Sequence, residues 1–276
     1  MWRITWRRFV RSKLAVAALV YIGLITFMAV AAPLLSRYDP NAVDLIHRLN
    51  APNGQHRFGT DDLGRDVLTR MMYGARISLT IGFAATAISL IVGSFLGALA
   101  GYYGGAIDWV VSRVIEIVLC FPFLFLLLGI VALFGASMTT ILVALGLTSW
   151  TTAARFIRGE FLKVREMDFA QAARASGARD ARIIFRHLLP NSLAPVLVTA
   201  SFGVADAILV ESALSFLGLG VAPPTASWGG ILTVAEQFID YAWWLVIFPG
   251  MAIFATVAAF NIVGDRFRDA LDPRSD

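Results

Sequence analysis

Three acidic side chains sit where an apolar chain ordinarily has none. Asp206 and Glu211 are the only charges between Leu188 and Ala235, and Glu116 precedes 38 uncharged residues that end at Arg155. A carboxylate in such surroundings can meet a cation entering a polar pathway, or pair with a basic or backbone group of another chain. Five helical positions turn by ~140°, so Asp206 and Glu211 cannot both point at one site. Proton-transfer and nucleophilic chemistry have little to work with. The three histidines, His47, His56 and His187, lie outside the apolar runs, and no Cys/His group has metal-ligand spacing. Cys120, beside Phe121 and Pro122, reads as a small apolar filler inside the bilayer. A second acidic cluster, Gly59-Thr60-Asp61-Asp62-Leu63-Gly64-Arg65-Asp66, resembles a calcium loop only in its Asp and Gly content. It lacks the alternating acids and terminal Glu of an EF-hand, so no metal is assigned to it. It reads as a folded loop, tied by local hydrogen bonds of Arg65 and Asp66, that braces or docks another chain.

These residues must be positioned by elements that cross a membrane. The chain is 58% hydrophobic and 15% charged, with a mean hydropathy of +0.73, against about 25% charge in soluble domains. That excludes a soluble enzyme, a disordered tail and a nucleic-acid binder, despite a pI near 9.6. A crossing helix needs roughly 20 apolar residues. Six spans fit: 14–35, 78–101, 114–134, 139–157, 193–215 and 242–264. The first, from Leu14 to Leu35, exceeds the apolar core of a signal peptide, about 7–15 residues, and is kept as a span. Gly218, Gly220, Pro223, Pro224, Gly229 and Gly230 make 216–241 a loop, with Trp228, Trp243 and Trp244 expected at a membrane interface. Tyr102-Tyr103-Gly104-Gly105 reads as a plain reverse turn. Seventeen of the 23 Lys and Arg residues fall in 1–13, 101–113, 155–187 and 265–276. The other six fall in the loop 36–77, where Asp39, Asp44, Asp61, Asp62 and Asp66 nearly neutralise them. The positive-inside rule therefore puts both termini, 1–13 and 265–276, in the cytoplasm.

The segment of about 155–190 is long enough to form a surface. Asp168 to Ala175 is alanine-rich and helix-forming, and Gly177 suits the left-handed close of a helix. Asp180 can cap a second short helix, and Pro190 marks the break into the next span. Helix, tight turn and helix would lie on the cytoplasmic face. Ala172, Ala173 and Gly177 would offer small side chains to an approaching backbone. Arg174, Arg179, Arg182 and Arg186 would meet headgroups or an acidic partner.

The frame Gln171-Ala172-Ala173, then Gly177, His187 and Leu189-Pro190, resembles the EAA motif of ABC importer permeases, with Gln171 where Glu is usual and His187 at an aliphatic position. Further blocks resemble the "C"-type permease of dipeptide and oligopeptide importers. They are Phe58 to Leu68, Tyr73 to Leu79, Ala213 to Gly220 with Pro223-Pro224 and Trp228-Gly229, Phe248-Pro249-Gly250, Phe260-Asn261, and Gly264 to Arg274. The resemblance implies an all-α polytopic fold of the type I importer class and a chain that is no enzyme itself. It implies a second homologous permease, two ATPase subunits and an extracytoplasmic substrate-binding protein, in a prokaryotic plasma membrane. ATP and Mg would reside on the ATPases, and no cofactor on this chain, which has no Gly-x-x-x-x-Gly-Lys-Ser/Thr loop. Gln171, Ala172, Ala173, Gly177, Leu189 and Pro190 would face the ATPase. Asp206, Glu211 and Glu116 would line the pathway or contact the partner permease. Gly59, Thr60, Asp61, Gly64, Arg65 and Asp66 would form the outer motif. Cargo could be a peptide or, in the same permease type, a nickel chelate or haem. A secondary transporter is the other class considered, but the internal repeats that such folds show are missing from the sequence.

Overall fold

The computed structural model describes residues 2–271; the block Asp272-Pro273-Arg274 lies outside them. Among these residues the secondary structure is helical apart from an isolated bridge between Thr60 and Asp66. Helix α1 (Trp2–Arg11) leads through Ser12, whose hydroxyl caps α2 (Lys13–Val30). A short α3 (Ala32–Leu35) then opens the loop 36–66. Helix α4 (Val67–Tyr103) has 37 residues, a rod of about 55 Å at 1.5 Å per residue, against a hydrocarbon core of about 30 Å. It begins well before residue 78. The Asp66 carboxylate accepts the Thr69 N–H at 2.8 Å, and this cap lets the helix start on the polar side of Arg70 and Arg76.

The expected span 114–134 is instead two helices, α5 (Gly105–Leu119) and α6 (Phe123–Phe134), bent by 80°. Pro122 has no N–H and disfavours helical backbone at the residue before it, so the break falls at Cys120–Pro122. Cys120 is consequently exposed on the chain rather than packed in it. Next come α7 (Met138–Val164), α8 (Asp168–Ala175) and the three-residue α9 (Asp180–Arg182). A π-helical turn, Ile183–Leu188, runs directly into α10 (Leu189–Phe216). Pro190 therefore does not break the chain; it sits in the first turn of α10, where its missing N–H costs nothing. Residues 216–241 contain a nine-residue helix, α11 (Trp228–Glu236), capped by Ser227. The glycines Gly229 and Gly230 fall in its first turn, and a side chain at 229 would lie 2.5 Å from the Ser212 carbonyl. The last helix is α12 (Trp244–Leu271).

Among the described residues five helices are long and apolar enough to cross a membrane, or up to six with the bent pair. The direction of packing shows what the bent pair does. Along α4, Gly93, Gly97 and Gly101 face Ala153, Ala154 and Phe161 of α7 in the same order, so the two helices run parallel. The intervening α5–α6 must return the chain to the end where α7 starts, and there Leu127 and Val131 join Ile81, Ile141 and Leu145 in one cluster. Helix α10 runs antiparallel to α4: Gly82 faces Ile208, and Gly203 faces Thr86. Helix α12 packs on α2, where the Tyr21 and Thr256 hydroxyls lie 3.2 Å apart, and its end holds Phe9 of α1 against Phe267. Leu24, Phe27, Phe95, Phe125, Leu133 and Phe254 remain exposed, a surface suited to lipid or another membrane chain rather than water.

The α4–α7 contact admits no Cβ. One added at Gly97 would lie 2.5 Å from the Ala154 carbonyl oxygen, whereas one at Gly129 of α6 would meet nothing within 4 Å. Gly97→Ala is expected to destabilise the chain by about 1–3 kcal/mol, the usual cost of overpacking, while Gly129→Ala is expected to stabilise it by about 0.5–1 kcal/mol, the gain of replacing a mid-helix glycine. Thermal unfolding of the detergent-solubilised protein checks the contrast, and equal shifts would refute it.

Candidate functional site

The segment after α7 folds as a bracket on one end of the bundle. Helix α8 closes with Gly177 at φ +75°, and the Ala178 N–H reaches back to the Ala173 carbonyl at 3.1 Å, the six-to-one bond of a Schellman close. Ala170, Ile183, Ile184 and Leu188 are buried against Ile157, Phe161 and Val164 of α7. Gln171, Ala172, Gly177 and Pro190 stay exposed. Ala173 does not, because it shares the inward face with Ala170, three positions before, and packs with Leu189 against the same cluster. Asp180 is the first residue of α9 rather than its cap, which is Arg179 without a side-chain bond.

Inside the bundle, helices α4 to α7 and α10 line a partly open cavity of about 460 Å³ that includes Asp206. Among the described residues Asp206 is the only ionisable one on its wall; the rest is apolar or hydroxylic, including Thr86, Ser89, Thr148, Thr151 and Thr199. The Thr148 hydroxyl donates to the Ala144 carbonyl at 2.7 Å. The Thr86 hydroxyl is buried without any partner. Phe121 and Phe123, on either side of the α5–α6 break, close part of the wall. These hydroxyls were invisible to a search for charge. Their one signal is the polar run Thr148-Ser149 and Thr151-Thr152 inside an apolar span.

The other two acids are placed elsewhere. Glu211 is 0% exposed and accepts hydrogen bonds from Ser78 of α4 at 2.9 Å and Ser215 at 2.7 Å. Ser227, the cap of α11, donates to Ser215 at 3.3 Å. The expectation that Glu211 lines a pathway or meets a partner is thus corrected: its oxygens are consumed within the chain. Glu116 forms an exposed ion pair with Arg113 at 2.6 Å, one turn apart on α5, and does not reach the cavity.

At the opposite end of α4 the loop 36–66 is a knot. Asp61 accepts from the Leu63 and Arg65 N–H groups at 3.0 and 2.9 Å and from Arg65 Nε at 2.7 Å. Arg70 adds a 3.4 Å ion pair to Asp61 and donates to the Pro40 carbonyl. Asp66 holds both the α4 cap and His56 Nδ1, at 2.9 Å. Gly64 has φ +75°, and a Cβ there would lie 1.7 Å from the Asp44 carbonyl oxygen. Gly59, at φ +74°, is pressed against Asn50 and Trp244. The Asn50 N–H donates to the Thr60 hydroxyl at 2.8 Å, and Trp244 Nε1 donates to the Thr60 carbonyl at 3.0 Å. Trp228 Nε1 donates to the Met71 carbonyl at 3.1 Å. Both indoles are buried, so of the three tryptophans expected at an interface only Trp243 is exposed. On the rim, a hydrogen bond from His47 holds the Asp44 carboxyl below the usual carboxylate range.

Comparison with known proteins places the chain in a family. The family model for a binding-protein-dependent transport system inner membrane component matches residues 93–276. A model of the N-terminal TM domain of oligopeptide transport permease C matches residues 1–52. The dipeptide transport system permease protein DppC of Alkalihalophilus pseudofirmus is 44% identical over 273 residues, covering 99% of this chain and 90% of the relative. The oligopeptide transport system permease protein OppC of Bacillus subtilis is 38% identical, again over 99% of this chain and 90% of its own length. The glutathione transport system permease protein GsiD of Pectobacterium atrosepticum is 40% identical, over 99% of this chain and 91% of its own length. Among solved structures, an inward-facing methionine ABC transporter matches at a TM-score of 0.57 and 18% identity, covering 72% of this chain and 95% of that one. An amino acid ABC transporter matches at 0.56 and 19%, covering 74% and 95%; these two share the fold. Matched over most of its length by permease models and relatives, the chain belongs to the binding-protein-dependent transport system inner membrane components, as a permease subunit of the OppC/DppC type.

Proposed function

We propose that this chain forms half of the translocation pathway of an ATP-driven importer of dipeptides or oligopeptides, pairing with a second homologous permease. The observation that carries the reading is the exposed face Gln171, Ala172 and Gly177 on α8, held rigidly to α7 by the buried Ala170 and Ile183. On it, an ATPase subunit docks against the 168–190 segment from the cytoplasm, with both termini on that side. The knot 36–66 faces outward, where its buried ion pairs give a substrate-binding protein a stiff seat. ATP and Mg stay on the ATPases. The displacement imposed on α8 passes into α7 and α10, its covalent neighbours, and changes access to the cavity they line.

The peptide reading draws on relatives that carry dipeptide and oligopeptide names over nearly the whole chain and on the chemistry of Asp206. A carboxylate at membrane depth is unfavourable by about 2.5–3.5 kcal/mol on insertion scales unless it faces a polar interior. Among the described residues none ion-pairs or hydrogen-bonds to Asp206, whose side chain is exposed on the cavity wall. A peptide's ammonium group is the complement that the cavity lacks.

Two outcomes follow. Gly177→Asp keeps a left-handed backbone at a cost of about 1–2 kcal/mol, too little to unfold the segment, and it adds bulk and charge to the docking face. Normal amounts of assembled complex should hydrolyse ATP without uptake, as read by paired uptake and ATPase assays in proteoliposomes. Normal uptake at normal abundance would sink the assignment. Asp206→Asn should cut uptake of peptides with a free ammonium about 10-fold or more, the scale of a lost charge-assisted hydrogen bond, and affect N-acylated peptides much less. Equal losses for both, or a fall in the amount of complex, would instead make Asp206 an assembly residue.

A further inference from the structure

Tyr102, in what reads from sequence as a plain turn, is buried to 6% exposure among side chains of α7, α8 and the π-helical turn. Its hydroxyl donates to Asp180 Oδ1 of α9 at 2.6 Å, a charge-assisted bond of the strong class. The Arg174 guanidinium of α8 lies 5.0 Å from the centre of its ring, within cation–π range. Arg165, just past α7, donates to the Gly101 and Tyr102 carbonyls at 3.0 and 3.4 Å, which satisfies acceptors that a helix end leaves open. Three consecutive pieces of the bracket therefore grip the last turn of α4.

The grip matters because of connectivity. The bracket is joined through the chain to α7 at one side and to α10 at the other, and to α4 by no covalent link. Yet α4 is the helix that runs unbroken from this end to the Asp66 cap in the knot. We propose that Tyr102 is the positioning residue through which displacement of the 168–182 segment reaches α4 and, along that rod, the opposite end of the protein. The inference rests on the coupling reading of that segment given above. The phenol supplies what a turn residue does not: a directional bond to α9, a flat face for Arg174, and a backbone already held by Arg165.

The test uses the assembled transporter in proteoliposomes, with ATPase rate measured with and without liganded binding protein, and peptide moved per ATP. Tyr102→Phe keeps the ring and its packing and removes only the Asp180 bond. It should lower both the stimulated-to-basal ratio and the peptide moved per ATP by about fivefold or more, the lower range of coupling between linked sites, in complex that assembles in normal amount. Asp180→Ala, at an exposed position, reads the same bond from the other side and serves if the tyrosine variant assembles poorly. Asp180→Asn keeps an acceptor and should restore most of the ratio. The Tyr102→Phe/Asp180→Ala double variant should be no worse than either single one, the mark of a shared contact. A wild-type ratio in Tyr102→Phe and Asp180→Ala, or losses that add, overturns the proposal. Gly177→Asp in the same assay separates the two readings. If it uncouples while the Tyr102 and Asp180 variants do not, only the joint falls; if it leaves uptake intact, the coupling reading itself falls.

Discussion

The approach of α4 to α7 sets the geometry of everything else. Gly93, Gly97 and Gly101 recur every fourth residue, and at each the neighbouring α7 atom lies within 2.6 Å of where a Cβ would stand. In a bilayer apolar burial gives helices little reason to associate, so close backbone packing over small residues must supply it. The seam fixes α4 and α7 as a parallel pair, and that forces α5–α6 to return between them despite its 80° bend. Along the first half of α4, Gly82 and Thr86 meet α10, where Gly82 and Gly203 allow a second close approach. The cavity is the volume these constraints leave unfilled.

The polar groups are distributed according to the same logic. At its first turn α4 is fixed by Asp66, Arg70 and the Trp228 bond to Met71. At its last turn it is fixed by Arg165, Arg174 and Asp180. Asp66, Arg70, Trp228 and Tyr102 are buried, so little water competes for these bonds. The middle is apolar on its seam face and hydroxylic on its cavity face. A rod anchored at both ends by saturated polar clusters transmits rotation; one anchored at one end would fray.

The sequence was legible where one physical signal acts alone. Apolar runs marked the positions of the spans, and Gly177 marked the left-handed close of α8. It was misleading where two signals compete. Arg70 and Arg76 looked like loop residues, yet Asp61 and the Pro40 carbonyl accept Arg70, and the helix passes through them to Val67. Phe121 and Phe123 hid the break at Pro122, because hydropathy registers apolar character and not direction. Ala173 was assigned outward by motif, although its spacing from Ala170 puts both on the buried face of α8. Tryptophans 228 and 244 were assigned to the membrane interface by residue type, and their indole N–H groups instead find backbone carbonyls inside the protein.

Helical periodicity separated Asp206 from Glu211, and the structure shows why one chain carries both. Glu211 faces α4 close to the knot, where Ser78, Ser215 and Ser227 are in reach, so its oxygens are filled and it clamps α4, α10 and α11 together. Asp206 points about a third of a turn or more away, onto the cavity, beside a Thr86 hydroxyl that is also without a partner. The Asp206 side chain is exposed on the cavity wall, so its acceptors stay open. Keeping them open is useful only if another molecule supplies the missing partner transiently. A saturated site would hold nothing, and a fully enclosed one would release nothing. A lone carboxylate among hydroxyls, in a cavity lined by α4 to α7 and α10, is what the proposed pathway would require.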